Sequence, residues 1–217
     1  MKVLFVLDDI WHPAEVIERG LKTFDHEEME FDLVRTAKDI LTPEFIKSYD
    51  AMIIAKGNAI NAANSAPWFE PTVTECGPKE IAEYVENGGG LVALHAGLCI
   101  GKGQVPAYTN LVGSYFLDHP LREMTHVHVV GDHPIVEGVQ DFSERDEHYQ
   151  IAVTEQSAEV FLVTSSEHGG VFPSGYAFER GAGSVVGLTP GHTLAVWSNP
   201  EFHKLLKNAI RWSVGAI

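Results

Sequence analysis

Gly88-Gly89-Gly90-Leu91-Val92-Ala93-Leu94-His95-Ala96-Gly97 decides how this chain is read. Its apolar run has strand length and ends in a small-x-His-x-Gly turn, the arrangement by which α/β enzymes lift a reactive side chain above the sheet. The lifted residue is His95. An imidazole ligates metals, moves protons or orients substrates, but it replaces Ser or Cys poorly in stable acyl transfer.

The flanking chain supplies a matching frame. Lys2 to Leu7 is a continuous apolar run followed by Pro13 to Phe24, where Val16, Ile17, Gly20, Leu21 and Phe24 recur at helical spacing. Phe31 to Val34 and Ala51 to Ala55 read as further strands. Thr42-Pro43-Glu44 opens a short helix with an N-cap hydroxyl, and Pro78 to Asn87 is an amphipathic helix stopped by Gly88. Alternating strands and helices predict right-handed crossovers and a parallel sheet, with ligands bound beyond the carboxyl ends of its strands. Asp9, Lys56 and His95 follow such ends.

Short strands are expected at Val127 to Val130, His148 to Val153, Val160 to Val163, Gly175 to Phe178 and Ser184 to Leu188. A final helix, from about Pro200 to Val214, carries an apolar face of Phe202, Leu205, Leu206, Ala209, Ile210 and Trp212. Val105 to Phe116 reads as one helix and a loop.

With 217 residues and 45% hydrophobic content the chain suits one domain, residues 1–217, with a substantial core. A formal charge of -15, scattered along the chain, repels nucleic acid and anionic lipid. No apolar run reaches the ~20 residues of a membrane helix, and the N-terminal run is too short for a signal peptide. Cys76 and Cys99 fit reduced thiols better than a disulfide framework, so the expected compartment is the cytoplasm. The oligomeric state stays open, a homo-oligomer included.

Eleven histidines are available. His192 leaves the apolar strand Ser184 to Leu188 through Thr189-Pro190-Gly191, and in the same sheet it is placed to meet His95 across the crevice. Asp146-Glu147-His148-Tyr149 reads as a strand start, whose alternation sends Glu147 and Tyr149 to one face, Asp146 and His148 to the other. His12, beside Trp11 in the loop after the first strand, belongs at the crevice rim or in half-buried packing. His126 and His128 share a strand face and read as surface imidazoles more readily than as a metal pair, while His133, before Pro134, serves a turn. Cys99 is expected one helical turn beyond His95 as a buried, inert thiol.

In order and spacing, Gly88 to His95, Gly113 to Phe116 with His119, His133-Pro134-Ile135, Asp146 to Tyr149, Pro190-Gly191-His192 and Asn208 to Trp212 resemble the ThuA-like, or trehalose-utilisation, family. The resemblance covers nearly the whole chain. It implies the class I glutamine-amidotransferase-like superfamily: a flavodoxin-like, doubly wound, mostly parallel sheet with helices on both faces, here with extra short strands in the C-terminal half. In amidotransferases the elbow carries Cys and a later strand end its His partner, positions that the resemblance gives to His95 and His192. Without the elbow thiolate, glutaminase activity is not expected.

The family's association is with sugar and disaccharide catabolism, notably of oxidised trehalose and keto-sugars. The resulting expectation is an enzyme acting on a small-molecule carbohydrate, with His95 and His192 as metal ligands or as a general acid/base pair and Glu147 assisting. A divalent metal such as zinc is the cofactor such a set would take. Asp9, Trp11, His12, Lys56, Asn58, His119, Asp146 and Tyr149 are the expected substrate contacts. Gly181-Ala182-Gly183-Ser184 replaces a Gly-Lys-Gly-Arg frequent in the family, which weakens the case for an anionic substrate. The rival readings are a non-catalytic carbohydrate-binding or regulatory module on the same fold and an amidohydrolase using Cys99.

Overall fold

The computed structural model describes residues 1–58 and 67–217. Its first half runs β1 (Lys2–Val6), α1 (Ala14–Leu21), β2 (Glu30–Val34), α2 (Ala37–Ile40), α3 (Pro43–Ile46), β3 (Ala51–Ile54), α4 (Pro78–Glu86) and β4 (Gly90–Leu94). After a 3-10 turn at His95–Leu98 come α5 (Pro106–Val112), β5 (Ser114–Asp118), β6 (Glu123–Val129), β7 (Phe142–Asp146), β8 (Gln150–Val153), β9 (Glu159–Ser166), β10 (Gly170–Arg180) and β11 (Gly183–Leu188). Two helices, α6 (Leu194–Trp197) and α7 (Pro200–Ser213), close the chain.

Nine strands form one sheet in the order β2-β1-β3-β4-β11-β10-β9-β6-β7. The first five are parallel and the remainder join antiparallel, so the sheet is mixed. β5 and β8 form a separate antiparallel pair. From β1 the chain places β2 on one side and β3 on the other, and such a reversal opens a crevice at the carboxyl ends of the strands.

Alternation along β1 divides the apolar interior into two layers. Val3 and Phe5 pack with residues of α1, α6 and α7; Leu4 and Val6 pack with residues of α2, α3, α4 and α5. β3 and β4 are buried along their whole length, as expected of parallel strands covered on both faces. The glycines before β4 have separate duties: Gly88 adopts φ +109° to end α4, while a side chain at Gly90 would collide with Ser213 of α7.

Three sequence expectations need revision. Val105 to Phe116 contains a helix and a strand rather than a helix and a loop, because Gly113 at φ +70° ends α5 and turns the chain straight into β5. Asp146 ends β7, and residues 147–149 form a connection before β8 rather than a strand start. Cys99 caps the short 3-10 turn instead of lying within a longer helix.

Candidate functional site

The crevice is built from four strand-end segments. β1 leads through Asp8 to His12, β4 ends at His95, β7 gives way to Glu147, and the segment after β11 delivers His192. Two of the three non-glycine residues with positive φ among those described, Asp8 at +80° and His95 at +45°, lie on these segments. Local strain of this kind is held where surrounding structure fixes a side chain's direction. At the His95 turn the constraint is visible, because any side chain at Gly97 would run into the Ile54 carbonyl.

Each imidazole is oriented by a second partner. His95 is almost fully buried, and its Nδ1 lies 2.7 Å from the Thr189 carbonyl oxygen. A carbonyl only accepts, so Nδ1 carries the proton and Nε2 offers its lone pair to the crevice. Burial, joined by the nearby His12 and His192, pushes the His95 pKa down to about 4 against the neighbouring Glu147 carboxylate and Thr189 carbonyl that raise it, so the ring is neutral. His12 Nδ1 lies 2.8 and 3.0 Å from the two Asp9 oxygens, which leaves its Nε2 to accept from the Tyr149 hydroxyl at 3.2 Å.

Asp9 is itself fixed by backbone N–H groups, with Gly57 at 2.7 Å, Trp11 at 2.9 Å and His12 at 3.0 Å. Burial raises its pKa, but the His12 contact and these donors outweigh it and hold the carboxylate low. Glu147 follows the same logic. Burial raises it, and the hydrogen bond from His192, with the His95 imidazole close by, holds it well below the usual carboxylate range.

The distances among these groups are chemically specific. His95 Nε2 lies 3.4 Å from His192 Nδ1 and 3.6 Å from Glu147 Oε2, and His192 Nδ1 lies 3.1 Å from the same oxygen. Ligand bonds of ~2.1 Å in a tetrahedron set ligand atoms about 3.4 Å apart. Three edges of such a tetrahedron are therefore already in place. With His12 included, one ligand atom from each of the four residues lies within 4.8 Å of every other. Imidazole and carboxylate suit zinc and similar divalent ions, and the Asp9 and Thr189 contacts are the second partners that metal-ligating histidines ordinarily keep. The donor set fits a metal.

Tyr149 links the cluster to its wall. Its ring stacks on His95 at 4.0 Å and, on the other face, on His119 at 5.4 Å, while Phe116 meets its edge. Burial keeps the phenol protonated. His119 turns its Nδ1 to the Pro120 carbonyl oxygen and acts as packing behind Tyr149. Trp11 is half exposed on a cavity of about 530 Å³ that it shares with Glu147 and His192.

Four expected substrate contacts are otherwise engaged. Asp9 gives its oxygens to the His12 loop and to Gly57 N–H. Asp146 is buried and accepts from Gly191, His192 and Thr193 N–H at 2.9, 3.0 and 3.1 Å, so it braces the loop that carries His192. Lys56 is buried and donates to the Arg35 carbonyl oxygen at 2.8 Å. Asn58 exchanges two 3.1 Å bonds with the backbone of Phe69.

The other candidates are likewise placed. His126 bonds Ser143, His128 bonds Asp141 and Ser165, and His133 accepts from Ile135 N–H to cap a 3-10 turn. Burial pushes the Cys99 thiol up against the lowering influence of the nearby Tyr149 hydroxyl, which opposes thiolate chemistry. Gly181 to Ser184 lies at the start of β11, opposite the end that delivers His192. Its missing basic pair therefore has no bearing on the crevice.

Fold and site together define an α/β protein with a histidine and carboxylate crevice at its strand ends. The family model described as trehalose utilisation, ThuA, matches residues 3–213, and the chain belongs to this family. A ThuA-like protein of Parabacteroides merdae superposes with a TM-score of 0.76 at 16% identity, over 99% of this chain and 90% of that one. A ThuA-like protein of Bacteroides uniformis gives 0.71 at 20%, over 98% and 90%. A β-galactosidase from Rahnella sp. R3 gives 0.66 at 13%, over 99% of this chain but 31% of the larger enzyme. These similarities are of fold. No curated protein sequence is significantly similar. Family membership supports a carbohydrate-related role, and no helix among the described residues is long and apolar enough to cross a membrane.

Proposed function

We propose that the protein is a metal-dependent enzyme acting on a sugar or keto-sugar, built on a flavodoxin-like, doubly wound framework with helices on both faces. The reversal of strand order at β1 and the two apolar layers support that framework. The observation that carries the function is the triangle of His95, His192 and Glu147, whose ligand atoms already stand at the spacing of a tetrahedral site.

His95, His192 and Glu147 would hold the ion, with His12 as the fourth donor once its Nε2 leaves the Tyr149 hydroxyl. When bound, such an ion supplies a Lewis acid for a sugar carbonyl or hydroxyl. Asp9 and the Thr189 carbonyl fix the tautomers of His12 and His95, so both present unprotonated Nε2 atoms. Tyr149, kept protonated by burial, is a hydrogen-bond donor toward a substrate oxygen. Trp11 offers an indole face on the open side of the crevice.

The reading is tested by assaying zinc-supplemented protein on a panel of disaccharides and their keto derivatives. His95→Ala and Glu147→Gln are expected to lower turnover at least about 100-fold. Unchanged turnover in His95→Ala would refute the reading. Binding of sugars without turnover by the wild type would instead favour the non-catalytic module.

A further inference from the structure

The cavity beside the cluster carries one feature that the proposed chemistry does not use. Its lining includes Trp11, Arg122, Glu147, His192, Thr193 and Leu194, and Arg122 is the only Lys or Arg among its described lining residues. The β6–β7 ladder runs to the pair Glu123 and Asp146, so Arg122 and Glu147 are the next facing positions. Opposite charges at facing positions would ordinarily pair. Glu147 is instead turned to His192 and His95, at 3.1 and 3.6 Å. Arg122 is exposed and has no ion-pair partner among the described residues.

We infer that Arg122 is a carboxylate-recognition residue and that the substrate class is a sugar acid, a pyranose or open-chain sugar bearing a carboxylate. The inference rests on reading the crevice as the substrate site. A planar guanidinium offers paired N–H donors that match a carboxylate, and it is the residue type best suited to that recognition. The protein's charge of -15 would otherwise repel an anionic ligand, so an unpaired cation on this cavity has a selective effect on which sugars enter. Glu147 does not pair with it, because its carboxylate is turned to His192 at 3.1 Å. With the carboxylate on Arg122 and the ring on Trp11, the remaining oxygens of the sugar point toward His192 and Glu147. The cavity, at about 530 Å³, has room for such a ligand.

Calorimetric titration of the zinc-supplemented full chain with D-glucuronate, D-gluconate and D-glucose at low salt tests the inference. One acid is expected to bind about tenfold or more tightly than glucose. Arg122→Gln should reduce that preference to about twofold or less while leaving zinc affinity unchanged, and Arg122→Lys should keep part of it. Equal binding of acids and glucose, no measurable binding of either acid, or a preference that survives in Arg122→Gln would each overturn the assignment. Survival in Arg122→Gln with loss on removing zinc would place the carboxylate on the metal instead. A wild type that binds no zinc but shows an Arg122-dependent preference would refute the metal reading and leave this one standing.

Discussion

At the scale of single residues, the polar groups divide by what their hydrogen bonds leave free. His12 and His95 spend Nδ1 on Asp9 and Thr189 and keep Nε2 for the crevice. Asp9 has nothing left to offer a ligand, and its effect passes through His12. Asp9→Asn is therefore expected to lower zinc affinity about 10- to 100-fold, with little change in far-ultraviolet circular dichroism. Titration calorimetry checks this, and unaltered affinity would show that His12 needs no orientation. That His95, His192 and Glu147 come together was legible in the sequence, because each follows a strand in a sheet whose crevice location is general. The protein partners of Asp9, Asp146, Lys56 and Asn58 were not legible, for a physical reason. A loop residue's neighbours are set by how the loop folds back, and Asp146 meets residues 191–193 only because two distant strand ends converge. Arg122 gave no signal, since its freedom depends on Glu147 turning away.

Among the elements, the long apolar helix and the parallel strands announced themselves through periodicity. α7 buries Phe202, Leu205, Leu206, Ala209 and Ile210 completely, as its spacing predicts. Leu206→Ala should cost about 2–5 kcal/mol in denaturant unfolding, and a loss below ~1 kcal/mol would mean that the layer under α7 can collapse around the gap. The antiparallel half was less legible, because short strands with polar faces differ little from loops in composition.

One contact there ties the β9–β10 turn to β6: His168 Nδ1 lies 2.6 Å from Glu123 Oε2, and Glu123 Oε1 accepts from His168 N–H. Hydrogen bonds from Ser166 and His168 hold Glu123 down to about 2, and Glu123 raises His168. The imidazole's contribution is thus present below its ordinary pKa near 6.5 and is lost as pH rises through its raised value. The carboxylate's contribution fails at the other end, from about pH 4.5 down to about 2. Amide exchange at residues 167–170, corrected for intrinsic rate, should show faster opening above the raised His168 value, and Glu123→Gln should remove that dependence. A dependence unchanged in Glu123→Gln would contradict the pairing.

For the whole molecule, the mixed sheet does two jobs. Its parallel half supplies His12, His95 and His192 from strand ends, and its antiparallel half brings β7 alongside so that Glu147 completes the group. Neither half contains the site alone, which explains why separate sequence motifs were weak and their order across the chain was informative. This convergence is what would make a metal site. Elemental analysis of protein purified without chelator and supplemented with zinc, with His95→Ala and Glu147→Gln alongside, measures it most directly. Wild-type protein is expected to hold about one zinc per chain, with a chelator-reversible rise in melting temperature, and both variants to hold substoichiometric zinc. Wild-type protein without zinc after reconstitution, or variants that hold it equally, would rule out a metal site at His95, His192 and Glu147.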